Sequence, residues 1–486
     1  MAPAAHAPHG QSGELDVLVC GGGPAGSAAA ILLASWGRRV AMVTRPADST
    51  GGTLAESLPP STDKLFRVLG VQAEMASAGF LRSTGNTVWW GESEARVEGF
   101  GDGRLGWQVT APALERVLHG AAEQAGVGIL HERIDAIETA ITRWPSQWVV
   151  DATGRTGLVA RARGWRRFEP GLRTVALVGV WQCAKWLVPD ASHTLIESYS
   201  DGWAWSVPVG QGRRQIAVMV DPRRSDLERG TDALAVYLAQ VKKTRQFAAL
   251  VSPARLDAGP WGWDASMYCS TRYAEGNCLI IGDAGSFIDP LSSAGVKKAL
   301  ASGWLAALVV NTCLAEPEMR DHALAFFESR ERTVYQSYRM FTLRFLAEGR
   351  LSGRSFWADR GDPADGAGDP PVDVIDAQTT QAASVAFDAL KAAPEFVAAR
   401  GAITIEARPA IVDRVLRLEP RIVTPDMPDG LRFLYGVDLV TLVDLAPTCR
   451  DVGRFFEIYN QRNAPVPLPD FLRALSITVA RGWLVC

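Results

Sequence analysis

Residues Leu15 to Val43, LDVLVCGGGPAGSAAAILLASWGRRVAMV, constrain the fold more than any other stretch of the chain. The apolar run Leu15 to Cys20 predicts a buried strand. Gly21, Gly23 and Gly26 complete GxGxxG, with Pro24 and Ala25 inside the same turn. Ala28, Ala29, Ile31, Leu32 and Leu33 continue as a helix, and Arg39 to Val43 predicts a second strand. Each glycine has a physical task. Gly21 permits the tight turn, Gly23 lets backbone approach a pyrophosphate, and Gly26 lets helix pack on strand. A helix N-terminus with free N–H groups suits a diphosphate. The spacing therefore predicts a dinucleotide site. The acidic residue expected about 20 residues on, to hold a ribose, is absent. Thr44 and Arg45 stand there instead, and Thr44 can accept one hydrogen bond.

The 486 residues allow a large core and two or three domains. A net charge of −3 gives no electrostatic case for nucleic acid or an anionic membrane. No unbroken, uncharged apolar run of about 18 residues stands out, so no spanning helix is expected. Residues 1–13 are small and polar, lack the apolar core of a signal peptide, and read as a disordered tail. The seven cysteines are scattered, with no CxxC pair. That argues against a metal site or a disulfide framework and for a reducing cytoplasm.

Two later stretches choose the dinucleotide. VVDATGRTGLVAR places Asp151 and Gly154 after an apolar strand. CLIIGDAGSFIDPLSSAGVKKALASG places Gly282 and Asp283 after another, then a turn at Pro290 and a helix opening near Gly295 and Val296. With GxGxxG they resemble the FAD signatures of the para-hydroxybenzoate hydroxylase class of flavoproteins. The resemblance implies FAD as cofactor, with Asp283 on the ribityl chain. It also places the helix N-terminus at the flavin, where free N–H groups stabilise negative charge. Either aspartate, read alone, could simply cap a turn.

GWAWSVP, Gly202 to Pro208, alternates as a half-buried strand does and puts Trp203 and Trp205 on one face. Core packing alone would account for that pair. The pattern WxWxxP is also similar to the box of flavin-dependent halogenases, where it walls the flavin off from substrate. Halogenases further carry a lysine beside the substrate and a glutamate in the DPLES-type turn. Alignment on Trp90 puts Asn86 at the lysine position, and no lysine occurs between Lys64 and Lys185. Ser292 stands in place of the glutamate. A working halogenase is therefore not expected.

ESLPPST, STGN…WWG, GWAWSVP and the run from Gly282 to Ala307 look like the flavoprotein monooxygenases that mature tryptophylquinone enzymes. Examples serve quinohemoprotein amine dehydrogenase and lysine oxidase. The resemblance spans residues 14 to 345 and implies hydroxylation of a tryptophan side chain in a peptide or protein. It implies O2 as co-substrate and NAD(P)H as reductant, directly or through a flavin reductase. Such chemistry asks more for a dry pocket than for a catalytic dyad. Glu56 and Glu197 are the candidate base or proton shuttle, or else hold a backbone N–H or an arginine. Asn86, Trp89 and Trp90 are expected to line the substrate side, and His193 to be structural. Ala111 departs from the arginine that many relatives place at the start of their helix, and Arg116 is the candidate replacement.

The expected fold is α/β. A Rossmann-like FAD module of the para-hydroxybenzoate hydroxylase and glutathione reductase type spans 14–360, with an antiparallel substrate sheet inserted mainly at 166–267. A linker at 361–372 (rich in Gly, Asp and Pro) leads to an α+β accessory domain at 373–486. There IVDRVLRLEPRIVTP and GLRFLYG read as short strands, with turns at Glu419–Pro420 and Pro428–Gly430, followed by three amphipathic helices. That order resembles a winged helix, or a peptide-recognition element that takes a strand at its sheet edge. A small packing or dimerisation domain is the plainer reading. Rival functions are halogenation of an aromatic, hydroxylation of a small aromatic molecule, and a non-catalytic flavin-stabilised maturation partner.

Overall fold

The computed structural model describes residues 14–46, 54–91, 94–225, 227, 232–349, 355–358, 360, 377–393 and 395–486. The expected tail at 1–13 and linker at 361–372 lie outside the described residues. The chain divides into two compact units, 1–367 and 368–486.

The first unit is built on a six-stranded sheet. Its parallel core runs, in spatial order, Cys278–Ile280, Ser146–Asp151, Leu15–Cys20, Val40–Thr44 and Gly128–His131. Strands buried on both faces need continuous apolar runs, which is why Leu15–Cys20 carries no alternation. The glycine turn leads into the helix Pro24–Ser35. Beside it packs the helix Gly295–Ala315. A Cβ on Gly303 would meet the Ala25 carbonyl oxygen at 2.2 Å, so only glycine allows this crossing. Gly295–Ala315 has the length and hydropathy of a spanning helix, yet most of it is buried inside the unit.

A second, seven-stranded sheet carries the apolar chamber. Its order is Arg255–Asp264, Val175–Gln182, Arg213–Val220, Gly202–Gly210, Thr194–Tyr199, Gly85–Trp89 and Arg96–Gly99. All pairs are antiparallel except Thr194–Tyr199 with Gly85–Trp89, which run parallel. The run Phe80 to Gly91 forms two strands. Leu81–Ser83 joins a separate small sheet and Gly85–Trp89 joins the large one. A Cβ on Gly85 would meet the Glu98 carbonyl oxygen at 2.1 Å, so the chain can change sheets there only with glycine.

The second unit has its own core, including Ile422, Leu442, Phe455, Tyr459, Phe471 and Leu475. The hairpin Thr404–Val412 and Val415–Thr424 turns at Asp413, whose φ of 54° is left-handed. The expected turns at Glu419–Pro420 and Pro428–Gly430 both fall inside strands. Pro420 is tolerated because the third strand pairs only near Ile422 and Thr424, so no donor is needed at 420 on that side. The three expected helices form at Leu439–Leu445, Val452–Arg462 and Leu468–Ala480.

Candidate functional site

Above the C-terminal ends of the parallel strands lies a cavity of about 260 Å³. Three structures meet there. Pro24 opens the glycine-turn helix, Asp283 follows the strand Cys278–Ile280, and Gly295 and Val296 open the long buried helix. Neither helix has a side chain capping its first turn, so free N–H groups remain at both starts. Gly21 has φ +118°, and a Cβ there would overlap the Ala152 carbonyl. A Cβ on Gly26 would strike the Gly21 carbonyl oxygen at 1.9 Å. Around Gly23 there is open space instead. The first and third glycines thus serve the fold, whereas Gly23 keeps a space clear for a ligand.

One wall of the cavity is aromatic and apolar: Trp203, Trp205, Trp263, Met219, Ile196 and Phe287. Among the described residues, the buried indole N–H groups of Trp203 and Trp205 have no partner, nor has Nη1 of Arg155. Arg155 sits over the Phe287 ring at 3.9 Å, with Asp264 at 3.5 Å. Five carboxyls also line the cavity: Glu56, Glu115, Asp264, Asp283 and Asp289. Burial and the nearby Asp283 push Glu56 up to about 7. Burial pushes Asp289 up to about 6, although its carboxylate accepts the Leu291 N–H. Neither lysine nor histidine is among the lining residues.

Several expected site residues come together here: Pro24, Glu56, Asp283, Pro290, Gly295, Val296, Trp203 and Trp205. Ala25 packs against Gly282, whose φ is +57°. Thr44 borders Gly22, where His119 Nε2 also meets the Gly22 carbonyl at 2.7 Å. Arg45 and His119 both lie near Glu115, which burial raises. Gly154 is left-handed at φ +62°, with open space around it.

Other expectations need correcting. Asp151 is fully buried, and its carboxylate accepts from the Thr153 N–H and hydroxyl and the Val159 N–H. It braces its own loop. Glu197 points away from the cavity and accepts the N–H groups of Arg245, Gln246 and Phe247. Strand alternation is the cause, since its neighbour Ile196 is the residue facing the cavity. Trp89, paired with Glu197, shares that opposite face and packs beside Leu195 and Tyr199. Trp90 is buried one layer behind the wall, 6.5 Å from Trp203, and donates to the Phe345 carbonyl. Asn86 lies on the cavity side of its strand, opposite Thr194, but is not among the lining residues. Arg116 is exposed, and Ala111 and Glu115 face the cavity in its stead. His193 bonds Thr87 and is structural, as expected.

Reading the sequence missed Arg155, Trp263, Asp289 and Glu115. Arg155 and Asp289 lie inside glycine-turn motifs already quoted. Trp263 belongs to a second tryptophan pair, Trp261 and Trp263, spaced like the first.

A cavity edged by two helix starts, a glycine kept clear of side chains and unpaired buried donors fits a flavin dinucleotide, whose phosphates and ring heteroatoms accept hydrogen bonds. Comparison with known proteins agrees. The sequence model of the FAD binding domain family matches residues 14–302, more than half of the chain. Flavin-dependent halogenase armH3 of Armillaria mellea is 27% identical over 367 residues, covering 66% of this chain and 72% of that protein. The solved flavin-dependent halogenase CmlS superposes with a TM-score of 0.74 at 18% identity, covering 98% and 96% of the two chains. The peptidyl tryptophan dihydroxylase QhpG, essential for tryptophylquinone cofactor biogenesis, gives a TM-score of 0.65 at 22% identity, covering 93% and 96%. The last two likenesses speak to fold. On these grounds the chain belongs to the FAD binding domain family and is a flavoprotein of its halogenase-like superfamily.

Proposed function

We propose that this protein is an FAD-dependent monooxygenase that hydroxylates an aromatic ring, the side chain of tryptophan in a peptide or protein. One observation carries the choice of reaction. The cavity presents five carboxyls, Glu56, Glu115, Asp264, Asp283 and Asp289, against one cation, Arg155, and no lysine among its described lining residues. An anionic halide calls for an excess of cationic groups, and here carboxyls outnumber the one cation, Arg155, which already faces Asp264 at 3.5 Å. Hydroxylation of an indole needs a dry, apolar chamber and a proton donor. QhpG, with the same fold, acts on peptidyl tryptophan, which motivates the substrate.

Bound FAD would supply the redox chemistry, with O2 as co-substrate and NAD(P)H as reductant, directly or through a flavin reductase. The chain's own residues bind, orient and exclude water. Gly23 and the start of Pro24–Ser35 would receive the diphosphate, with Thr44, Arg45 and Gly154 as further candidate contacts. Asp283 would accept from the ribityl chain, and the start of Gly295–Ala315 would stabilise negative charge on the flavin ring. Trp203, Trp205, Met219 and Ile196 keep water from the reacting face. Glu56, neutral below about pH 7, holds a proton at its carboxyl oxygen and can deliver it into the cavity. The reducing cytoplasm is the proposed compartment, in keeping with seven cysteines that form no disulfide.

The halogenase names of relatives such as armH3 favour a second reading, halogenation of an aromatic. One experiment separates the two. The purified protein is incubated with FAD, NADH or NADPH, air, bromide and a tryptophan-containing candidate protein, and its products are read by peptide mass spectrometry. Gain of one or two oxygen atoms on tryptophan supports hydroxylation. Gain of bromine, sensitive to substitution of Trp203, would overturn it.

A further inference from the structure

A lysine has no obvious business beneath the flavin cavity. Lys298 lies on the first turns of Gly295–Ala315 and is 3% exposed. It is not among the cavity residues. Its ammonium donates to the Gly282 carbonyl at 3.2 Å and to the Ser286 carbonyl, gripping both ends of the Gly282–Ser286 turn. Asp283 Oδ1 is 3.7 Å away. One helical turn on, Ser302 Oγ accepts the Gly282 N–H at 2.9 Å. The helix therefore holds Gly282 by its carbonyl and its N–H together. Glu331, 3% exposed and reached from the helix Arg320–Glu348, brings a compensating carboxylate near Lys298 and Ser302. A buried ammonium is costly unless paired and fully bonded, and here both of its hydrogen bonds fall on the turn that carries Asp283.

We propose that Lys298 is a positioning residue for the flavin. Its ammonium fixes the Gly282–Ser286 turn and holds the Asp283 carboxyl as an aimed acceptor for a ribityl hydroxyl, with Glu331 as its acidic neighbour. The proposal rests on the flavin reading of this site given above.

The test compares FAD Kd, by fluorescence quenching, with the melting temperature of the apoprotein. Five variants are used: Asp283→Asn, Lys298→Met, Glu331→Gln, Asp283→Asn with Lys298→Met, and Lys298→Met with Glu331→Gln. Lys298→Met is expected to weaken FAD by about tenfold or more, the scale of a lost charged hydrogen bond. Together with Asp283→Asn the loss is expected to fall short of the product of the two, because both act on one contact. The Lys298→Met, Glu331→Gln pair is expected to recover the apoprotein melting temperature while FAD stays weak. Recovery of wild-type FAD Kd in that pair would overturn the proposal and leave Lys298 a core cation. A wild-type Kd in Asp283→Asn would instead sink the site reading. Should neither Lys298 variant fold, Glu331→Gln decides. It keeps the grip and is expected to retain the wild-type Kd, and a loss of about tenfold there would move the positioning role away from Lys298.

Discussion

Glu197 accepts the Phe247 N–H at 3.0 Å, and the same carboxylate accepts from Arg245 and Gln246. Three consecutive backbone donors at the start of the short helix Gln246–Val251 are satisfied by one side chain from a strand. Glu197→Ala leaves them unpaired, the Phe247 N–H in a buried position. The expected cost is about 1–3 kcal/mol, read as a lower urea midpoint with unchanged FAD affinity. Lost flavin binding at unchanged stability would return Glu197 to the cofactor site.

Glu56 gives the apoprotein a pH dependence. Its carboxyl titrates near 4.5 when unfolded and is pushed up to about 7 by burial and Asp283. Below 4.5 both states are protonated, and this group leaves stability unchanged. Between 4.5 and about 7 the unfolded chain loses the proton first, so folding stability falls as pH rises. Above about 7 the loss is complete, on the order of 3 kcal/mol. Glu56→Gln is expected to melt above wild type at pH 8 and near it at pH 4, by calorimetry. Parallel curves for the two proteins would refute the shift.

Gly23→Ala separates ligand from fold. A Cβ at this position meets no atom within 4 Å, and φ is an ordinary −71°. The apoprotein is expected to melt as wild type while FAD binding weakens by about tenfold or more, since the added methyl occupies the pyrophosphate approach. Titration with FAD by calorimetry checks it, and unchanged affinity would place the diphosphate elsewhere.

Trp357 is fully buried, donates to the Tyr199 carbonyl at 2.8 Å and meets Trp90 edge-to-face at 5.7 Å. It shares a core with the cavity residues Trp203 and Met219. Trp357→Ala is expected to cost about 3–5 kcal/mol, measured by chemical denaturation. A loss below about 1 kcal/mol would mean the neighbouring core collapses into the space.

What could be read from the sequence depended on how local its cause was. Gly21, Gly23 and Gly26 act through backbone within a few residues, so spacing alone revealed strand, turn and helix. Trp203 and Trp205 shared a face by alternation, and only the sheet's packing said which face. The same alternation misled at Trp89 and Glu197, because the register pairing Trp89 with Glu197 is a long-range fact. Asp151 shows another limit. An aspartate that braces a glycine turn and one that touches a ligand look identical in sequence. Pro420 shows a third, since a proline within an edge segment of a strand reads as a turn until its neighbours are known.

The crossing at Gly303 has a wider bearing. It joins the two helices whose starts frame the cavity, and it lies two turns down one of them, against Ala25 in the first turn of the other. Any side chain there would spread the pair and separate their starts. In a screen of random variants for loss of the yellow colour of bound flavin, Gly303 should score like a contact residue, and the map of sensitive positions would extend along this seam behind the cavity wall.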